Sequence, residues 1–126
     1  MTIKEIKDLL INTLKILGYG EPRLQGSYGK DEAYPDSFIT FFIVDSPSLN
    51  FYNNKFNCTA YYLDVNFYSN DPELVNTVPE KIAEELIKVG FIKQGKGADL
   101  VSDNKTHTGW NLSFIYQEKL NIKEEL

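Results

Sequence analysis

Few residues in this chain are of types that do acid–base, nucleophilic or metal chemistry. There is one histidine, His107, and one cysteine, Cys58, among 126 residues. His107 is the only side chain whose ordinary titration lies near neutrality, and it stands in Thr-His-Thr-Gly-Trp at the start of a strand-like run. General-base work needs a nucleophile or substrate within reach. The sequence nominates neither, so a solvent-facing histidine at a strand end is expected. Cys58 would become a nucleophile only if a base or a positive field lowered its pKa. Its neighbours Asn57 and Thr59 supply neither, which points to a small half-buried filler. Asp64 with Asn66, or Asp31 with Glu32 and Asp36, could gather oxygen ligands, but neither stretch has the central glycine and distal glutamate of a calcium loop. Gly26-Ser27-Tyr28-Gly29 and Gly95-Lys96-Gly97 lack the strand-before, helix-after setting of a phosphate cradle and read as flexible connectors. No catalytic, cofactor-binding or metal residue is therefore assigned, and no cofactor is expected. The aromatic side chains of the loops are the better candidates: Tyr19, Tyr28, Tyr34, Phe51 and Tyr52 resemble interface anchors, which bring area at low entropic cost. The alternative is that two or three of them fold back over the sheet.

The bulk properties narrow the partners. A formal net charge of -5 argues against gripping nucleic acid, because lysine and arginine supply most of that affinity, and equally against an anionic membrane surface. Between Ser37 and Ser69 the only basic residue is Lys55, so Tyr61, Tyr62, Phe67 and Tyr68 lack the cationic frame of a base-stacking platform. One cysteine permits no internal disulfide, charges interrupt every apolar stretch of the first 18 residues, and no run is long enough to span a bilayer. A reducing cytosol is the expected setting.

The elements that must position these residues are legible in outline. Ile3, Ile6, Leu10, Thr13 or Leu14, and Leu17 share one helical face, with Thr2 and Glu5 at capping-box spacing and Gly18 as the stop. Residues 19–36 hold three glycines and two prolines and read as a long flexible loop. Ser37–Val44 is apolar on both faces, as in a strand covered by a helix on one side and a neighbouring subunit on the other. A short strand near Leu49–Phe51 and a turn at Asn53-Asn54 follow. In the next strand Thr59, Tyr61, Leu63, Val65 and Phe67 point to the core, and Cys58, Ala60, Tyr62, Asp64, Asn66 and Tyr68 to a half-polar outer face. Asp71-Pro72 opens a second helix that Pro79 should kink or restart, with Thr77 and Glu80 as a second capping box and Glu84–Lys88 as a supporting pair. After Gly90-Phe91 and the Gly95–Gly97 link, Ala98–Ser102 and Thr106–Gln117 form a closing hairpin, with Trp110, Leu112, Phe114 and Tyr116 on its inward side. The expectation is one α+β domain over 1–126, two helices on one face of a mostly antiparallel sheet, in the order α-β-β-β-α-β-β, with a loose tail over 119–126.

Residues Tyr34–Phe91 resemble the small neck or tail-completion proteins of siphophages and prophages of Gram-positive bacteria. The likeness rests on a PDSFITFF strand, a short acidic-serine turn, an F…N hairpin, a Y…V.FYS strand and a helix ending in Gly-Phe before a closing hairpin. The element order is also similar to that of tail terminator proteins of long-tailed phages, which assemble as hexameric rings. The resemblance implies a structural protein of the virion, present in the host cytoplasm during assembly. It would self-associate into a ring around the DNA channel and meet tail-tube and head-connector proteins. It would have no sequence-specific nucleic-acid contact, no membrane and no catalytic residue. The alternative is a small bacterial protein-binding module of immunity or adaptor type, also without catalysis.

Overall fold

The computed structural model describes residues 2–28, 33–45, 58–100 and 106–119. Helix α1, Ile3–Leu14, starts where the sequence places it: Thr2 Oγ1 accepts from the Glu5 N–H at 3.1 Å, and Glu5 returns the bond to the Thr2 N–H at 2.8 Å. These bonds with Thr2, its backbone N–H first, hold the Glu5 carboxyl below its ordinary range. The cap's contribution is thus present at neutral pH and fades as pH falls through that lowered value. Ile6, Leu10 and Leu14 are fully buried, whereas Ile3 stays outside the stripe. A 3-10 turn, Lys15–Leu17, closes the helix at Gly18, whose φ of 93° suits glycine.

Helix α2, Pro72–Lys88, is one continuous helix. Of the two outcomes expected at Pro79, a kink or a restart, the restart does not occur. Asp71 is the cap, its carboxylate accepting from the Glu73 N–H at 3.0 Å, and the Thr77 hydroxyl donates back to the Glu73 carbonyl instead of capping. An interior proline costs about 3 kcal/mol, but here the Pro79 ring is buried, and that burial offsets part of the cost. Lys88 pairs with Glu85, at 2.9 Å, rather than forming the expected bridge to Glu84. The helix ends in a Schellman turn: Gly90 N–H reaches Ile87 O and Phe91 N–H reaches Leu86 O, both at 3.1 Å, with Gly90 at φ 104°. Phe91 then drops into the core.

Among the described residues, five strands form one sheet in the order β1-β2-β3-β5-β4: β1 Arg23–Leu24, β2 Ser37–Asp45, β3 Cys58–Ser69, β4 Ile92–Leu100 and β5 Thr108–Lys119. Only β1 runs parallel to its neighbour. The fold is the expected α+β arrangement, and three strands precede α2, but the first of them is β1, inside the segment expected to be loop. The expected strand at Leu49–Phe51, the Asn53-Asn54 turn, the Asp103–Lys105 turn, the Thr59 side chain and residues 120–126 lie outside the described residues.

Both helices cover one face of the sheet. Ile39, Phe41, Leu63, Val65, Phe67, Leu112 and Phe114 meet Ile6, Leu10, Leu14, Val78, Ile82 and Leu86 there. This is the period-two inward set expected for β3 and β5. The fourth strand departs from expectation. It begins at Ile92, and Gly95-Lys96-Gly97 is a bulge within it, not a link before it: Gln94 pairs with Ser113 and Ala98 with Asn111, so three residues face Leu112 alone. Positive φ at Gly95 and Gly97 makes the bulge, and the Trp110 indole N–H pins it by donating to the Lys96 carbonyl at 3.1 Å.

Candidate functional site: the outer face of the sheet

The face away from the helices is laid out in cross-strand rows. The first is aromatic. Phe38 on β2 stacks on its β3 partner Tyr68 at 5.0 Å between centroids, and Tyr34 and Tyr28 close over Phe38 at 5.2 and 5.0 Å. The Arg23 guanidinium lies 4.0 Å above the Tyr28 ring, a cation–π contact that fixes the turn after β1. His107 belongs to this cluster, 5.8 Å from Phe38 and 6.1 Å from Tyr34.

His107 is not the solvent-facing residue expected. It is 6% exposed. Its Nε2 lies 2.8 Å from the Pro35 carbonyl, which can only accept, so Nε2 carries a proton, and Nδ1 is hydrogen-bonded to the Thr106 hydroxyl at 3.0 Å. The reason is the fold-back of residues 33–36 over the end of β5, a tertiary contact invisible in the local sequence. Both ring nitrogens are spent on structure.

The second row is polar. Arg23, Thr40, Asn66, Asn111 and Ala98 are successive register partners across all five strands. Gln25 Oε1 accepts from the Thr40 hydroxyl and from Asn66 Nδ2, the latter at 3.2 Å, and Asn66 Oδ1 accepts from Asn111 Nδ2 at 2.7 Å. Thr40 and Asn66 are each only 3% exposed, so the bonds satisfy groups that would otherwise be costly to bury. The row fastens the turn after β1 to the middle of the sheet. Asn66→Ala leaves Asn111 Nδ2 without its partner and takes one of two donors from Gln25. We expect a loss of about 1–3 kcal/mol, measured by urea unfolding, with faster amide exchange over residues 23–28.

The third part is apolar. Asp45 pairs with Tyr62, Tyr62 with Ile115 and Ile115 with Ile92, and Val44 stands beside them. Val44 is 56% and Ile92 48% exposed. A hollow of about 420 Å³ lies here, lined by Val44, Tyr62, Asp64, Gln94 and Ser113. The Ser113 hydroxyl donates to Asp64 at 2.8 Å.

Three of the five aromatic anchor candidates fold back. Tyr19 crosses to the helix side and meets Phe67 edge-on at 5.3 Å, while Tyr28 and Tyr34 join the Phe38 cluster. Phe51 and Tyr52 lie outside the described residues. The acids are dispersed: Asp36 accepts from Asn70 at 3.0 Å, Asp64 and Asn66 serve different partners, and Asp31 and Glu32 lie outside the described residues. Cys58 is the first residue of β3, opposite Lys119. Two features escaped the sequence. One is the Gln25–Asn111 row, for which outward Asn66 and Asn111 were the only signal. The other is a groove between α2 and β4, about 420 Å³, with Trp110, Leu112 and Pro79 inside and Lys93, Lys96 and Glu80 at its rim.

No helix among the described residues is long and apolar enough to cross a membrane. No protein-family model matches the chain, and no curated protein matches it.

Proposed function

We propose that this chain is a virion assembly protein of the phage head–tail junction, of tail-completion or tail-terminator type. It forms or joins a ring around the DNA channel and meets the tail-tube and head-connector proteins. Its work is contact between surfaces, with no turnover. The observation that carries this reading is that three of the quoted phrases fall on elements of the fold: SFITFF of the first on β2, Y…V.FYS on β3, and the Gly-Phe ending on the Schellman turn of α2, the acidic-serine turn and the F…N hairpin lying outside the described residues. The outer face adds support. Its polar row is internally bonded and rigid, and its apolar part is left open beside it, which is how a protein-contact surface is built.

The bulge in β4 bears on how copies would meet. A bulge carrying Lys96 blunts this edge strand against edge-to-edge pairing, so contact through faces is favoured over contact through this edge. A second reading, a protein-binding module of immunity or adaptor type, is favoured by the Trp110 groove, which offers a partner an aromatic floor and a charged rim of Lys93, Lys96 and Glu80.

Disruption of the gene in the phage or prophage that carries it decides between them. The proposal expects DNA-filled heads and separate tails, restored to whole particles by the gene supplied in trans, and antibody against the chain marking the neck. Normal particles lacking the protein would reject it.

A further inference from the structure

Two surfaces on opposite layers of the molecule complement each other. On the outer sheet face, Asp64 is half-buried beside Val44 and Tyr62, and its carboxylate is met by the Ser113 hydroxyl with no ion pair among the described residues. On the helix layer, the 3-10 turn after α1 packs Leu17 against the core and leaves Ile16 outside. Ile16 is 71% exposed, the highest of the large apolar side chains described, and exposed Lys15 adjoins it. One surface is an apolar hollow with an acid, the other an apolar knob with a cation, and neither charge has an ion-pair partner among the described residues.

We infer that copies of this chain associate head to tail, the Lys15-Ile16 knob of one seated in the Asp64 hollow of the next. This rests on the assembly reading above and assigns the surfaces that carry it. A second copy is the occupant because the chain itself holds both complementary halves. A two-fold face-to-face pair centred on the hollow would bring two Asp64 carboxylates together as water leaves, an unfavourable like-charge contact. A heterologous contact avoids this by presenting Lys15 instead, and such contacts generate rings when the rotation closes. The bulge disfavours pairing along the β4 edge.

The test is sedimentation velocity of the full chain across a concentration series. Wild type assembles. Ile16→Asp and Lys15→Glu, both at exposed positions and each checked for an unchanged circular dichroism spectrum, and Asp64→Asn, which keeps an acceptor for Ser113, each raise the half-assembly concentration about tenfold or more. Lys15→Glu combined with Asp64→Lys recovers assembly that either change alone removes. Assembly indifferent to these variants overturns the assigned contact and leaves the assembly reading standing. Loss in the single variants without recovery in the pair also overturns the contact. A wild-type chain that stays monomeric throughout overturns both.

Discussion

Gly97→Ala is expected to destabilise the fold by about 2–5 kcal/mol, from left-handed strain and overpacking together. Gly97 sits at φ 95°, and a Cβ there would stand 2.2 Å from the Asn111 carbonyl oxygen and 2.3 Å from Trp110 Nε1. Neither neighbour can yield cheaply. The Asn111 carbonyl belongs to the backbone of β5, and the indole is tied to Lys96. The substitution therefore opens the bulge or breaks the tie, and the groove beside α2 loses its wall. Urea unfolding followed by circular dichroism measures the cost, and the fluorescence of the single tryptophan reports the local change. Gly95→Ala is the control: its φ is 68° but nothing lies within 4 Å of an added Cβ. It should cost about 1 kcal/mol, from strain alone. Equal costs at the two positions would mean that the close approach contributes nothing.

Phe67→Ala is expected to cost about 3–5 kcal/mol. Phe67 is fully buried at the centre of the sheet, on β3 opposite Ile39 and Trp110, and Tyr19 packs edge-on against its ring. Truncation leaves a cavity lined by side chains of β2, β5 and the segment after α1, none of which can collapse without moving backbone. Tyr19 would lose its ring partner as well, so exchange should rise in residues 18–22 along with the global loss. Tyr62→Ala, on the outer face of the same strand, should cost clearly less. A larger effect at Tyr62 than at Phe67 would mean that the two faces had been assigned the wrong way round.

What could be read from the sequence was whatever is decided locally. The Thr2–Glu5 capping box, the Gly18 and Gly90 stops, and the alternation of Leu63, Val65 and Phe67 each depend on residues within a few positions, and each stands in the structure. Two misreadings are local, the Lys88 pairing with Glu85 and the Thr77 bond to Glu73, and the others involve distant partners. Gly95-Lys96-Gly97 looks like a link because glycines punctuate either a loop or a bulge, and only the tie between Trp110 and Lys96 distinguishes them. Pro79 signals a kink or a restart by propensity, and the helix runs on past it with the ring buried. His107 looks exposed until Pro35, far away in sequence, supplies the carbonyl that its Nε2 proton meets. The Gln25–Thr40–Asn66–Asn111 row needs the register of three strands and a loop, and no single-segment pattern contains it. Of the aromatic anchors, Tyr28 and Tyr34 were drawn to Phe38 by the same apolar area that made them look like interface residues.

The claim on which everything else depends is that the chain acts by assembling through its faces. Mass measurement of the purified full-length protein by native mass spectrometry tests it most directly. The expected species is a closed oligomer of fixed copy number, a whole multiple of the 14.5 kDa chain, alone or with the tail-tube protein. A single 14.5 kDa species at every concentration, with and without the tube protein, would contradict it.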